Sequence, residues 1–418
     1  MTHHFEHDVI IIGAGAAGLA AAQKLKAAGL EPRVIEARDR LGGRIWTDHT
    51  ITPVELGAEF IHGEHAATWQ LIKPPELETD LWPRGRQYQQ YTYLYIRNGQ
   101  LLADEALDEQ MAAVYEHVTH FTGPECSARD AVLTMTQPDD TVLPYILSRL
   151  ACVEAADVDR LSATALSQER ALNTAGWENY HIRAGYDALT ALMAQGLDIR
   201  CNSPVTRIDW SDTGAQLLLA DDQTLTARRV IVTVPLGVLQ ADCPNFAPAL
   251  PSTKQQAIAA LAMGHVTKLV LQFSRTVWPS FSYLCSDGVI PDWWQAGTAA
   301  APVLMGYSGG PAALELVALG EETAIEQGLA ELSQAFGDDI RSAFVSGRLV
   351  DWSTDPWSLG AYTYTPIGAG DARAVLAAPV ASTLFFAGEA TSTNGHVATV
   401  HGAIETGWRA ADAVLAVL

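Results

Sequence analysis

Three groups of residues in this 418-residue chain have types and spacing that could do chemistry. The first is Gly13-Ala-Gly15-Ala-Ala-Gly18, set directly after the apolar run Asp8-Val-Ile-Ile-Ile. Gly13 permits a tight turn, Gly15 lets the backbone approach a pyrophosphate, and Gly18 allows a helix to pack closely. The N-terminus of that helix offers N–H groups and a positive dipole to phosphates. Glu36 follows at the end of a second strand, about 20 residues on, where a carboxylate holds a ribose hydroxyl. A bare glycine pattern is weak evidence, but its place between a strand and a helix makes it a dinucleotide signal. The second group is Arg38 with Leu41-Gly-Gly43-Arg44, a further glycine turn whose guanidinium can pair with a pyrophosphate as a fork. The third is Lys268, mid-strand among Val266, Leu269, Val270 and Leu271. A lysine there is costly unless its ammonium has a partner, the alternative being a solvated position on an edge strand.

These residues need elements to hold them. Asp8 to Gly13 reads as a parallel strand buried on both faces, Ala16 to Ala28 as an alanine-rich helix stopped by Gly29, and Arg33 to Glu36 as the next strand. Between about Pro74 and Gly176 the character changes: Pro74, Pro75, Trp82, Pro83, Tyr88, Tyr91 and Tyr93 cluster, then helical stretches such as Leu102 to Phe121 follow. β/α character returns from Gly185 to Pro235, with strands expected at Leu197–Arg200, Val205–Trp210, Ala215–Leu219 and Arg229–Val234. A strand from Val266 to Phe273 lies in another divergent block, and Leu384 to Leu418 reads as strand, loop and long helix. The expectation is an α/β chain in which a Rossmann-type domain (1–75, 180–250, 355–418) is interleaved with an α+β domain (76–179, 251–354).

Composition narrows the partners. The formal charge is -22, from 48 acidic and 26 basic residues. That balance argues against nucleic acid, which needs clustered Lys and Arg, and suits a cationic ligand, though it also serves plain solubility. The 5 cysteines are scattered, with no CxxC pair and no metal-ligand spacing, which fits a reducing, cytoplasmic setting. Met1 to Asp8 shows no secretory pattern, and the apolar run from Val9 to Ala22 is broken by glycines, so no membrane association is expected.

Several further motifs stand in order along the chain. They are Leu56-Gly57-Ala58-Glu59-Phe-Ile-His62-Gly, Ile182-Arg-Ala-Gly185-Tyr186, Val230-Ile-Val-Thr-Val-Pro-Leu-Gly-Val-Leu239, Val266-Thr-Lys268, Asp355-Pro-Trp357 with Gly360-Ala-Tyr362, Phe386-Ala-Gly388-Glu389, and Thr399-Val400-His-Gly-Ala403. Together with the two glycine turns this set resembles the flavin-containing amine oxidases, nearest in motif to polyamine oxidases and lysine-specific histone demethylases. The resemblance implies non-covalent FAD on the amine oxidase, glutathione-reductase-like fold. Its cofactor set would be Gly13, Gly15, Gly18, Glu36, Ala37, Arg38, Gly43, Arg44, Gly57, Ala58, Glu59, Val205, Trp357, Gly388, Glu389, Thr399 and Val400. Non-covalent attachment is expected because no cysteine lies between Trp352 and Tyr362. It also implies the reaction: a hydride equivalent passes from the carbon beside nitrogen to flavin N5, water hydrolyses the imine, and O2 is reduced to H2O2. By the same resemblance Lys268 would hold a water against flavin N5, and Tyr362 would form one wall of an amine cage. Thr399 would stand where many relatives carry a second tyrosine, leaving the cage one-sided. Thr399 and Val400 would open a helix whose dipole faces the flavin, and His62 would lie on the substrate side.

Glu59 and Glu64 could bind distal ammonium groups, and Trp293, Trp294 and Trp357 stand either along a substrate tunnel or in a core. The expected partners are a small cationic amine and molecular oxygen. By the same resemblance, neither the tower nor the N-terminal helical domain that chromatin enzymes of the family carry is expected here. Two alternatives stay open: monoamine oxidation, and a flavin oxidase or desaturase of the same fold acting on an apolar skeleton.

Overall fold

The structure is a computed structural model that describes residues 5–72, 77–82, 93–137 and 142–418. Pro74, Pro75, Pro83, Tyr88 and Tyr91 lie outside the described residues.

The strand His7–Ile12 lies inside an eight-stranded sheet. It pairs in parallel with Arg33–Ile35 on one side and with Thr224–Val232 on the other. Val9 to Ile12 are all buried because the sheet is covered on both faces, the condition that makes a continuous apolar run a stable strand. Asp198–Arg200 extends the sheet beyond Arg33–Ile35. Thr224–Val232 is long enough to serve two neighbours on its other edge: its first part runs antiparallel to Gly214–Leu219, and its last residues run parallel to Leu384–Phe386. The expected strand from Arg229 to Val234 therefore starts earlier and stops at Val232, where Thr233 turns its hydroxyl onto the carbonyl of Ile12.

The helix Ala16–Ala27 follows the glycine turn and packs on the C-terminal helix Val400–Leu415. Both contacts depend on missing side chains. A Cβ on Gly18 would meet the carbonyl oxygen of Gly13 at 1.9 Å, and one on Gly407 would meet that of Ala17 at 2.2 Å.

A seven-stranded sheet forms the other layer, in the order Phe344–Asp351, Val266–Phe273, Val303–Gly309, Asp292–Gln295, Tyr283–Ser286, Tyr93–Arg97, Gln100–Leu102. Val266–Phe273 has neighbours on both sides, which removes the edge-strand alternative for Lys268. Successive side chains alternate between faces. Leu269, Leu271 and Phe273 enter a core beneath helix Glu321–Phe336, whereas Val266 and Val270 flank Lys268 on the face turned to Tyr307, Trp294 and Trp352. Helices Glu105–Thr119, Ala128–Leu133, Leu143–Glu154 and Ala163–Leu172 build a third cluster. The first of them starts at Glu105 because the Asp104 side chain accepts from Leu107 N. No helix among the described residues is long and apolar enough to cross a membrane.

Candidate active site

One cavity of about 480 Å³ runs from the glycine turns, along the 57–62 loop, to the aromatic face of the seven-stranded sheet. This is the size range of small-molecule and cofactor sites.

At the nucleotide end Gly13, Gly15, Gly43, Ala37 and Val205 line the cavity. Gly43 takes φ +59 and Gly42 φ +94, the left-handed conformations that glycine tolerates, and Gly42 N donates to Ala14 O at 2.9 Å to hold the two turns together. Gly18 does not line the cavity; it packs against Gly13. Glu36 is buried, with Oε2 accepting from Ala14 N at 2.6 Å and Oε1 from Arg38 N at 2.8 Å. Each oxygen keeps a lone pair for a ribose hydroxyl. Arg38 forms a bidentate pair with Asp355 at 2.6 and 2.7 Å. Burial alone would raise the Asp355 carboxyl, but Arg38 outweighs it and holds the group below its ordinary range.

The pyrophosphate fork expected of Arg44 is left to Nη2 and Nε. Its Nη1 is already held by Ala361 O at 2.6 Å and Glu389 Oε1 at 2.9 Å, so only the remaining guanidinium nitrogens face a ligand. Glu389 is itself braced by the Thr363 hydroxyl at 2.7 Å. Burial would push its carboxyl up, but Arg44 and Arg373 bring it below the usual carboxylate range. Gly388 and Trp357 line the cavity nearby. Two backbone turns, an acid at a strand end and a guanidinium thus form a donor and acceptor set that fits a dinucleotide.

In the middle, Lys268 is almost fully buried and spends all three of its N–H groups on protein: Glu55 O at 2.8 Å, Gly57 O at 3.0 Å and Glu59 Oε2 at 2.9 Å. The expected water would have to replace one of these acceptors. Glu59 is not the free carboxylate expected to bind a distal ammonium, because its other oxygen accepts from Trp294 Nε1 at 2.9 Å. Glu64 is exposed, accepts from the backbone of Trp177 and Glu178, and does not line the cavity. Ala58 lines it, and Gly57 cannot carry a side chain, since a Cβ would lie 2.0 Å from Arg44 O. His62, on a short strand paired with Asn179–Ile182, faces the cavity with Nδ1 2.7 Å from Asn179 Oδ1.

Tyr362 lines the aromatic wall, but not alone. Its hydroxyl lies 2.9 Å from that of Tyr307 and 3.1 Å from Val153 O. Burial pushes the phenols of both tyrosines up, so both stay protonated donors. Trp294 tilts against Tyr307 at 5.5 Å, and Tyr283 and Tyr93 continue the surface. Trp293 lies in the core with its indole on Glu331, whereas Trp294 and Trp357 line the cavity. Thr399 caps the helix Val400–Leu415 by accepting from Gly402 N at 3.0 Å, and Thr399 and Val400 both face the cavity. The first turn of that helix carries His401, whose imidazole is pushed down to about 3 by burial and by His396 and His62.

Sequence reasoning missed Tyr307, the buried pair Arg149–Asp292 at 2.5 Å, the pairs Glu154–Arg170 and Glu169–Arg373, and His401 as a lining residue. Tyr307 stands directly opposite Lys268 across the antiparallel ladder, a register that no local signal in its own segment states.

A model of the flavin containing amine oxidoreductase family matches residues 16–415. Polyamine oxidase 4 of Oryza sativa subsp. japonica is 33% identical over 97% of this chain and 88% of its own length. Lysine-specific histone demethylase 1B of Mus musculus is 28% identical over 99% of this chain, which spans only 53% of that protein. Among solved structures, a putrescine oxidase variant superposes with a TM-score of 0.84 at 23% identity, covering 99% of both chains. Cyclohexylamine oxidase from Brevibacterium oxydans superposes with 0.82 at 24%, covering 98% of both. A family match over residues 16–415 and a relative at one-third identity over almost the whole chain lead to one assignment: this chain belongs to the flavin-containing amine oxidoreductases and is an FAD-dependent amine oxidase.

Proposed function

We propose that this enzyme oxidises a C–N bond of a polyamine or related cationic amine with oxygen as acceptor. The observation that carries the reading is the single cavity joining the dinucleotide cradle at Gly15, Glu36 and Gly43, past Lys268, to the wall of Tyr362, Tyr307 and Trp294. Bound FAD supplies the redox step, taking two electrons and a proton equivalent from the carbon beside nitrogen and passing the electrons to O2 as peroxide. The chain's own residues supply position and electrostatics. Glu36 would hold the ribose, and the guanidinium nitrogens of Arg44 that Glu389 leaves open would hold the pyrophosphate. The helix end capped by Thr399 directs its positive dipole into the cavity. The tyrosine pair presents aromatic faces to the amine and keeps bulk water from the reacting carbon.

A second reading, a singly charged amine with an apolar body, is favoured by one specific feature. Among the described residues six carboxylates line the cavity, and five of them stand in ion pairs within the protein: Glu59 with Lys268, Glu154 with Arg170, Glu169 with Arg373, Asp292 with Arg149 and Glu389 with Arg44. The sixth, Glu36, accepts two backbone N–H groups. A second ammonium would therefore compete with internal cations. Steady-state peroxide production from spermine, spermidine and their acetylated forms, set against phenethylamine and benzylamine, separates the two. Higher kcat/KM for the polyamines supports the first reading, preference for the arylalkyl amines supports the second, and inertness to every amine defeats both.

A further inference from the structure

The role of Glu59 follows from how its two oxygens are used. The residue is 8% exposed and the lysine it faces is 3% exposed. Oε2 accepts from Lys268 Nζ at 2.9 Å, and Oε1 accepts from Trp294 Nε1 at 2.9 Å. The other two lysine donors go to Glu55 O and Gly57 O, in the same run of chain as Glu59 itself. One ammonium thus ties three points of the 55–59 segment to the centre of the strand Val266–Phe273, and Gly57, Ala58 and Glu59 all line the cavity. Trp294 holds the carboxylate from the neighbouring part of the same sheet. The ring of His181, stacked on Trp82 at 4.8 Å, brings Nε2 to 3.8 Å from Glu59 Oε1.

A substrate ammonium at this carboxylate would have to share oxygens already committed to the lysine and the indole, and would weaken both contacts. Displacing the lysine would leave a buried cation without its counter-charge, which costs more than a new pair returns. We propose that Glu59 is a positioning residue: held by Trp294, it keeps the Lys268 ammonium aimed, and through it fixes the cavity-lining 57–59 loop, without itself binding the amine. This role rests on the amine oxidase reading for its kinetic part only. The pairing itself is testable without any amine.

The test is a double-mutant cycle on the FAD-loaded enzyme with Glu59→Gln, Lys268→Met and both together. Because Glu59 acts through Lys268, the two changes must be non-additive. In stopped flow at saturating amine, Glu59→Gln should slow flavin reduction by about tenfold or more, the scale of a misplaced reacting group, with KM little changed. In the Lys268→Met background the same substitution should have little further effect. Glu59→Asp, which keeps the charge, should recover most of the rate. The amine-free arm follows the visible flavin spectrum and the unfolding midpoint, and each should show the same non-additivity. Additive effects in that arm would overturn the pairing. A Glu59→Gln variant with full flavin reduction at saturating amine but a raised KM selective for long polyamines would overturn the positioning role and return Glu59 to the substrate. A wild-type enzyme inert to all amines would defeat the proposed function, while the amine-free cycle would still decide the pairing.

Discussion

Lys268→Met keeps most of the side chain's length and removes the ammonium, so it isolates the charge from the packing. Glu55 O, Gly57 O and the Glu59 carboxylate would then lose their shared donor in a site closed to bulk solvent. We expect the variant to retain flavin and to slow flavin reduction or reoxidation on the order of a hundredfold, the usual effect of deleting one positioned donor. Stopped-flow measurement of both half-reactions checks this, and unchanged rates in both would refute the role of Lys268. Glu36→Gln tests the nucleotide end. Both carboxylate oxygens accept backbone N–H groups, so an amide would set its NH2 against Ala14 N or Arg38 N. A lost buried hydrogen bond of this kind is worth about 1–3 kcal/mol, and FAD affinity should fall by tenfold or more. Flavin-fluorescence titration of the apoprotein would show it, and wild-type affinity would speak against Glu36 as a ribose ligand.

The crossing of helices Ala16–Ala27 and Val400–Leu415 makes an element-scale prediction with an unusual sign. Alanine normally stabilises a helix interior by about 1 kcal/mol over glycine. At Gly407 the added methyl would meet Ala17 O at 2.2 Å, so the helices must separate. Gly407→Ala should lower the melting temperature by several degrees and weaken FAD retention, because the first helix carries the phosphate-facing turn; a raised melting temperature would contradict the packing account. The elements themselves were largely legible. Val266–Phe273 is read correctly to the residue because β-branched and apolar side chains dominate it, and the helix expected over Ala16–Ala28 ends one residue earlier, at Ala27, between the glycines that punctuate both its ends. The site was legible only where local chemistry marks it, as at Gly13, Gly15 and Glu36. The pairing of Glu59 with Lys268 was not legible because the lysine lies 209 positions away. Tyr307 was missed because strand register is a property of pairing between distant segments, and nothing within 303–309 states which residue will face Lys268.

At the scale of the molecule, the formal charge of -22 contrasts with a cavity whose acids are nearly all matched internally. The unmatched field belongs to the outer surface, where it can draw in a cation but not grip it. Raising ionic strength should therefore lower kcat/KM for a cationic amine while leaving kcat unchanged, since screening acts on encounter more than on chemistry. A salt-dependent kcat with constant kcat/KM would contradict this. Stability should also be limited from two sides of pH. His401 is held down to about 3 against an ordinary 6.5, so the unfolded chain takes up a proton that the folded chain refuses, and stability falls as pH drops from 6.5 toward 3. Glu55 is pushed up to about 8 against 4.5 by burial, so the folded chain keeps a proton that the unfolded chain releases, and stability falls as pH rises from 4.5 to 8. Melting temperatures across pH, with FAD in excess, should show His401→Gln flattening the acid limb and Glu55→Gln the other.

The pairing of Thr224–Val232 with both His7–Ile12 and Leu384–Phe386 has a consequence for biosynthesis. The strand that begins the nucleotide cradle waits for one made some two hundred residues later, and Arg44 waits for Glu389, 345 positions on. A nascent chain that has not yet released Leu384 from the ribosome therefore lacks the last strand of the sheet, the carboxylate that orients Arg44, and the helix whose capped end faces the cavity. We expect cofactor loading to wait until translation has passed these elements. Ribosome-stalled chains ending before Leu384 should fail to retain FAD, whereas chains stalled far enough downstream to expose Leu415 should bind it.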